Sequence, residues 1–237
     1  MTRFRPARLI AWLAGAVAGI AVIAVAGAFI YIHFINGPAP APLTLPSARP
    51  AASAHGTTEQ AAAEALPGRW TVTSGSVVGY RVHEVLAGQS AVAVGRTSSV
   101  TGSIVISGTS VTSASFTADL TTVHSNESQR DAQFNGRIMN TAQYPVARLV
   151  LTAPIALAPV PSPGLIRSYH ATATLTMHGV ARKVTFALQA ERTGRLIEVS
   201  GAIPILFADW NIANPSFPPF VTTQNNGELE FLIRLSR

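Results

Sequence analysis

The sequence predicts a mostly β protein, an antiparallel sandwich or closed barrel, with a membrane-spanning helix in front of it. Apolar and polar side chains alternate along many short segments after residue 69, which is typical of half-buried strands. Only residues 131–141 have helical spacing, with Phe134 and Ile138 four positions apart. Residues 9–35 contain no Lys, Arg, Asp or Glu, and a run of this length can cross a bilayer.

The apolar run predicts a membrane anchor over residues 1–35. Three arginines precede the run, at positions 3, 5 and 8, and the next basic residue is Arg49. This asymmetry places the N-terminus in the cytoplasm and the rest of the chain outside, in a single-pass topology. A cleaved signal peptide is the alternative, because residues 24–26 (Ala-Val-Ala) have the small-x-small pattern of a processing site. In either case the C-terminal part is extracytoplasmic.

Two further units follow the anchor. Residues 36–68 are rich in Pro and Ala, so we expect an extended, semi-rigid linker that holds the next unit away from the bilayer. Residues 69–237 carry the strand pattern and predict one folded domain. The chain contains no cysteine, so this exported domain would have to be stabilised by burial alone.

The charge of the predicted domain argues against nucleic-acid binding. The whole chain has a formal charge of +6. From residue 69 onward there are 13 basic and 9 acidic residues, and the arginines are scattered along the sequence. A nucleic-acid surface needs a basic patch or stripe, which this distribution does not predict.

A closed barrel of this size would have room for a ligand. The predicted domain has about 169 residues, which suits an eight-stranded barrel whose interior can hold one small molecule. Small residues such as Ala171, Ala173 and Gly201 favour a hollow interior, whereas bulky side chains meeting at the centre would favour a filled barrel. Candidate lining residues are the large apolar side chains on alternating faces, although each is equally compatible with an ordinary core: Tyr80, Phe116, Phe134, Met139, Met177, Phe186 and Trp210.

No catalytic or cofactor motif is recognisable. The chain lacks Gly-x-Ser-x-Gly, Gly-x-Gly-x-x-Gly and Walker patterns. A composite site of His124, Asp131 and His178 is the remaining metal or catalytic hypothesis, but these residues are isolated in sequence. We therefore expect a protein that is not an enzyme and has no cofactor.

Two polar features suggest structural roles. Asp131 lies near the start of the predicted helix and could cap it or interact favourably with the helix dipole, while Arg130 could bind an anion or pair with Glu127. His178 precedes Gly179 at the tip of a predicted hairpin, where glycine supplies the positive φ that a tight turn requires. We expect His178 to have a structural role, through a hydrogen bond to the backbone, or to cover the rim of the barrel, rather than to act in catalysis.

Three segments together resemble the YceI-like domain family. Residues 128–134 (Ser-Gln-Arg-Asp-Ala-Gln-Phe), followed by Met139 and Tyr144-Pro145, resemble the family's Arg-Asp loop and helix. Residues 175–184 (Leu-Thr-Met-His-Gly-Val-Ala-Arg-Lys-Val) resemble its Leu-Thr-x-His-Gly-Val hairpin. Residues 209–212 (Asp-Trp-Asn-Ile) are similar to its closing Asp-aromatic-Gly-Ile motif, although Ala208 and Asn211 replace the expected arginine and glycine.

The resemblance covers about residues 69–237 and implies a lipocalin-like barrel, closed at one end by the helix. It also implies an apolar tunnel for isoprenoid or other amphiphilic lipid chains, in exported bacterial proteins without a general catalytic activity. Arg81, Arg130 and His178 are then the candidate polar residues at the mouth. The predicted function is a membrane-anchored, extracytoplasmic lipid-binding protein. The alternative is a filled barrel that acts as an interaction module at the cell surface.

Overall fold

The computed structural model describes residues 39–45, 66–86, 88–160 and 162–237. Across these ranges no helix has the length and apolar character needed to cross a membrane. The anchor predicted for residues 1–35 lies outside the described residues and stays a prediction.

The described chain is almost entirely β-structure with one short helix. Helix α1 covers Ser128–Gln133 and continues as a π-helical turn, Phe134–Ile138, while two 3₁₀ turns cover Leu120–Thr122 and Phe207–Trp210. The strands are β1 (Gly68–Val72), β2 (Val77–Leu86), β3 (Gln89–Thr97), β4 (Val100–Ser107), β5 (Ser110–Asp119), β6 (Val146–Leu151), β7 (Ile155–Ala156), β8 (Arg167–Met177), β9 (Val180–Thr193), β10 (Leu196–Leu206), β11 (Val221–Thr223) and β12 (Asn226–Ser236).

The strands close into an antiparallel barrel. β1 and β2 form one interrupted strand, since both pair with β12. β3 and β4 form the next strand of the ring, because β3 pairs with β2 and β4 pairs with β1. The others follow in the order β4–β5–β6–β8–β9–β10–β12, and the β12–β1 pairing closes the ring. With β1/β2 and β3/β4 each counted once, the ring has eight strands, so the predicted barrel is confirmed. Within this ring, β9 and β10 pair only over residues 188–193 and 196–201, toward the terminal ends of both strands.

The connections alternate between two ends of this up-and-down barrel. The helix end carries the β2–β3 and β8–β9 turns, residues 120–145 with α1, and residues 207–225 with β11. The terminal end carries the start of β1, the end of β12, and the β4–β5 and β9–β10 turns. Each end has its own buried apolar cluster. One includes Phe134 and Trp210 at the helix end, and the other is built around Trp70 and Leu235 at the terminal end.

The helix lies earlier in the chain than its spacing predicts. It begins at Ser128 instead of about residue 131, because the Glu127 side chain accepts a hydrogen bond from the Gln129 backbone N–H at 3.3 Å. Asp131, the predicted cap, instead accepts hydrogen bonds from the Ser125 backbone N–H and hydroxyl at 2.8 and 2.7 Å. Asp131 is therefore not the cap, and its carboxylate fixes the loop before α1. It does lie in the first turn of α1, as the dipole alternative requires.

Part of the predicted linker lies against the barrel wall. The Arg81 guanidinium donates to the Pro40 carbonyl at 2.6 Å, and that of Arg96 donates to the Ala41 carbonyl. Leu45 is buried at the end of the same segment. Residues 39–45, here called the strap, therefore follow the wall, whereas the composition of the linker predicts an extended spacer.

Candidate ligand cavity

The barrel interior contains one long apolar cavity of about 900 Å³. At the terminal end its lining includes Ile106 and Leu235, which belong to the same apolar cluster as Trp70. At the helix end it includes Phe134 and Val82. The cavity is therefore shared by both apolar clusters and follows the barrel axis. Its volume lies in the range of proteins that enclose a small-molecule ligand.

Small side chains keep the middle of the barrel open. Ala171 and Ala173 on β8 are buried and line the cavity. Gly201 on β10 makes room for the Phe231 ring, because a Cβ at position 201 would lie 2.7 Å from Cζ of Phe231. Phe231 in turn packs edge-to-face on Phe186, with ring centroids 5.8 Å apart. The small residues therefore leave a space that large side chains line but do not fill.

Six of the seven predicted apolar lining residues do line the cavity: Tyr80, Phe116, Phe134, Met139, Met177 and Phe186. Trp210 is buried in the helix-end cluster but is not among the lining residues. Its placement was predicted wrongly because it lies in the 3₁₀ turn Phe207–Trp210, where the alternation of a strand does not apply.

Tyr80 is the most constrained aromatic residue of the lining. Its ring stacks on Phe134, with centroids 5.1 Å apart and an interplanar angle of 15°. On the cross-strand side, a Cβ on Gly95 would lie 2.4 Å from Tyr80 Cε1, so Gly95 makes room for the ring. Burial raises the pKa of Tyr80 far above its usual value, and the nearby positive charge of Arg130 only partly opposes this. Tyr80 is thus a neutral phenol on the cavity wall.

A charge-balanced polar group lines the cavity at its helix end. Arg130 lines the cavity, as predicted for the mouth, and its Nη2 lies 3.4 Å from Oε1 of Glu84. Its Nη1 donates to Oδ1 of Asn126 at 2.8 Å. Thr223 pairs with Glu84 across β11 and β2, lines the cavity, and has a buried Oγ1 without a hydrogen-bond partner.

The sequence could have indicated Glu84 but not Thr223. Glu84 shares its strand face with Tyr80 and Val82, so alternation alone places its side chain inside. Thr223 belongs to a three-residue strand, which is too short to show a period.

Arg81 and His178 lie away from the cavity, so their predicted placement at its mouth is wrong. Arg81 follows Tyr80 on β2 and faces the opposite side of the sheet, where it pairs with the buried carboxylate of Glu230. His178 has a φ of 49° in the β8–β9 turn, and its Nδ1 donates to the Trp210 carbonyl at 2.9 Å. The Tyr144 ring meets the His178 ring edge-on, with centroids 4.9 Å apart.

The composite metal or catalytic hypothesis finds no support in the geometry. Nδ1 of His124 lies 3.5 Å from Oδ2 of Asp131, but His178 makes its contacts with Trp210 and Tyr144. Within the described ranges, no group of three or more His, Cys, Asp or Glu residues could hold a metal ion. These three residues therefore do not form one site.

Comparison with known proteins agrees with the barrel and its motifs. The family described as the YceI-like domain matches residues 70–235. Among solved structures, a polyisoprenoid binding domain from Saccharophagus degradans implicated in plant cell wall breakdown is 19% identical, with a TM-score of 0.59. The alignment covers 72% of this chain and 98% of that one.

A second similar structure is BcnA from Burkholderia cenocepacia. It is 20% identical, with a TM-score of 0.56, over 69% of this chain and 98% of that chain. No curated protein matches the sequence. At these identities the two structures establish a common fold, and the family match extends over most of the barrel. The chain belongs to the YceI-like domain family.

Proposed function

We propose that this protein binds an amphiphilic lipid, of the isoprenoid or fatty-acyl class, with its chain inside the barrel. The observation that carries the proposal is the 900 Å³ apolar cavity along the barrel axis. Each methylene that leaves water for such a cavity contributes about 0.8 kcal/mol. The similar structure from Saccharophagus degradans is described as a polyisoprenoid binding domain, which supports this ligand class.

The polar group at the helix end favours an uncharged head group. Arg130 is already paired with Glu84, so an anionic head would have to compete with a carboxylate that is fixed in place. Tyr80 is neutral because burial raises its pKa, and Thr223 Oγ1 is an unused hydrogen-bonding atom on the cavity wall. A hydroxyl or carbonyl head group matches these partners better than a phosphate does.

The proposal includes a membrane anchor and an extracytoplasmic domain, both inferred from the sequence. The apolar run at residues 9–35 and its preceding arginines support this topology. It also includes a binding role without catalysis, which is supported by the lack of a recognisable catalytic motif in the sequence. The rival function, a filled barrel that only docks a partner, disagrees with the open centre around Ala171 and Ala173.

Native mass spectrometry with organic extraction tests the lipid proposal. Residues 39–237, which keep the strap, are purified from a bacterial host without detergent. We expect a co-purifying lipid of definite mass with an uncharged head. Ala173→Trp should reduce its occupancy by filling the cavity, whereas Thr109→Trp, in the exposed β4–β5 turn, should not. An unliganded mass that stays unshifted after incubation with polyprenyl and fatty-acyl lipids would favour the filled-barrel module.

A further inference from the structure

Exposed apolar side chains are concentrated at the helix end of the barrel. Within the residues that the structure describes, six large apolar side chains are exposed, and only Leu165 of these lies at the terminal end. The other five belong to the helix end and are here called the apolar rim: Val85, Val146, Leu206, Phe217 and Phe220. Single exposed apolar residues are ordinary, but a group that includes two phenylalanines at one end marks an interaction surface.

The two phenylalanines are held outward by a hydrogen-bonded turn. Their side chains are the most exposed of the six, at 64% and 61%, and their rings stack with centroids 6.1 Å apart. The Phe217 backbone N–H donates to the Val221 carbonyl at 2.8 Å, and that of Phe220 donates to the Phe217 carbonyl at 3.0 Å. The turn thus presents a preformed aromatic pair to its surroundings.

The same turn borders the ligand cavity. Phe217 and Val221 are both among the lining residues. The strand that follows, β11, pairs with β2 at Glu84, Val85 and Leu86, next to the charge-balanced polar group. A surface bound by the apolar rim would therefore lie next to residues that line the cavity at its helix end.

The strap limits which end of the barrel can reach the predicted membrane anchor. The apolar run ends at residue 35, and Pro40 is hydrogen-bonded to Arg81. Five residues span at most about 18 Å. Along the wall from Arg81, Val85 at the helix end is four residues away, about 13 Å. Toward the terminal end, Arg81 pairs with Glu228 and Thr71 pairs with Ser236 on the continuous strand β12, so Thr71 is eight strand residues away, about 27 Å. Only the helix end lies within the reach of this tether.

We propose that the apolar rim docks on the surface of the bilayer that holds the anchor, so that the cavity opens toward membrane lipids. The inference rests on the proposed anchored lipid-binding function and adds the surface through which lipid enters. Aromatic rings are favoured at the headgroup level of a bilayer, which suits the exposed pair at Phe217 and Phe220.

Site-directed spin labelling of the full chain in phosphatidylcholine vesicles tests the docking. The chain has no native cysteine, so single labels are clean. Thr222→Cys places a nitroxide beside Val85 at the apolar rim, and Thr109→Cys places one in the β4–β5 turn at the terminal end; both positions are exposed. For each label we compare the collision rate with oxygen, which concentrates in the lipid, with the collision rate with an aqueous nickel chelate. We expect this oxygen-to-nickel ratio to be at least about tenfold higher at position 222 than at position 109.

Substitutions of the aromatic pair should remove this difference. In Phe217→Ser/Phe220→Ser the label at position 222 should become as water-accessible as the label at 109, whereas Leu165→Ser at the terminal end should have no effect. Equal aqueous exposure of both labels in the unsubstituted chain would overturn the docking proposal, even if lipid still co-extracts and the binding function stands. Dipolar coupling between labels at position 222 on separate copies would also overturn it, in favour of self-association. Rim immersion without co-extracted lipid would support docking and refute the binding function.

Discussion

Replacing Ala173 by leucine distinguishes a hollow barrel from a filled one, because the free energy of unfolding should change in opposite directions in the two cases. Ala173 is 1% exposed and faces the cavity from the middle of β8. Leucine adds three carbons, and each carbon that enters empty apolar space stabilises by about 0.8 kcal/mol. In the hollow barrel the lipid-free Ala173→Leu variant should be as stable as the parent, or up to about 2 kcal/mol more stable. In a filled core the same change should cost about 1–3 kcal/mol through overpacking.

The same leucine should compete with the bound lipid. It occupies the space of about three methylenes, which together contribute about 2.4 kcal/mol to binding. This corresponds to a Kd raised by up to about 50-fold, since 1.4 kcal/mol equals a factor of ten. Stability is measured by urea unfolding of the delipidated domain, and affinity by titration with a fluorescent polyprenyl or fatty-acyl lipid.

A matched substitution at a crowded position controls the interpretation. Gly79 lies on the same barrel wall as Tyr80, and a Cβ there would come within 2.2 Å of the Gly95 carbonyl oxygen. Gly79→Ala should therefore destabilise although it adds only one carbon. If Ala173→Leu were as destabilising as Gly79→Ala and left the Kd unchanged, the cavity would not be real space and the reasoning would be refuted.

Three further changes test the polar contacts. Because burial raises the pKa of Tyr80, its contribution to stability is present below pH 10 and is lost as the pH rises above 10, on the order of 1 kcal/mol at pH 11; urea unfolding of Tyr80→Phe should lack this loss. His178→Asn keeps the positive φ but loses the Tyr144 and Trp210 contacts, so melting should show about 1–2 kcal/mol less stability with unchanged lipid content. Glu230→Gln should destabilise by roughly 3 kcal/mol and make residues 39–45 sensitive to proteases, because Arg81 and Arg96 lose their buried counter-charge.

The fold was predictable because its signals are local. Alternation along β8, from Ala171 to Met177, assigns a strand and its buried face without knowledge of any partner. The β8–β9 turn was predictable from Gly179, which has the expected positive φ, 75°, whereas the positive φ of His178, 49°, was not predicted. Short-range chemistry was therefore sufficient to identify β8 and the turn that follows it.

The polar contacts were not predictable, because they depend on which distant strands become neighbours. Arg130 pairs with Glu84, 46 positions earlier, and Arg81 pairs with Glu230, 149 positions later. Only closure of the barrel brings these residues together. The strap shows the same limit, since composition predicts an extended proline-rich segment but not the two arginines that hold it.

The ion pairs on the outer wall help to fix the register of β12, and this register keeps the barrel interior apolar. Leu229, Phe231 and Ile233 on β12 face the cavity, and Glu230 and Arg234 alternate with them. A slip of β12 by one residue would exchange the two sets and bring a carboxylate and a guanidinium into the apolar clusters without their partners. In the observed register Glu230 is held by Arg81 and Arg96, and Arg234 lies 2.8 Å from Glu198. These ion pairs therefore favour one register, and that register is the one in which β12 turns its apolar side chains toward the cavity.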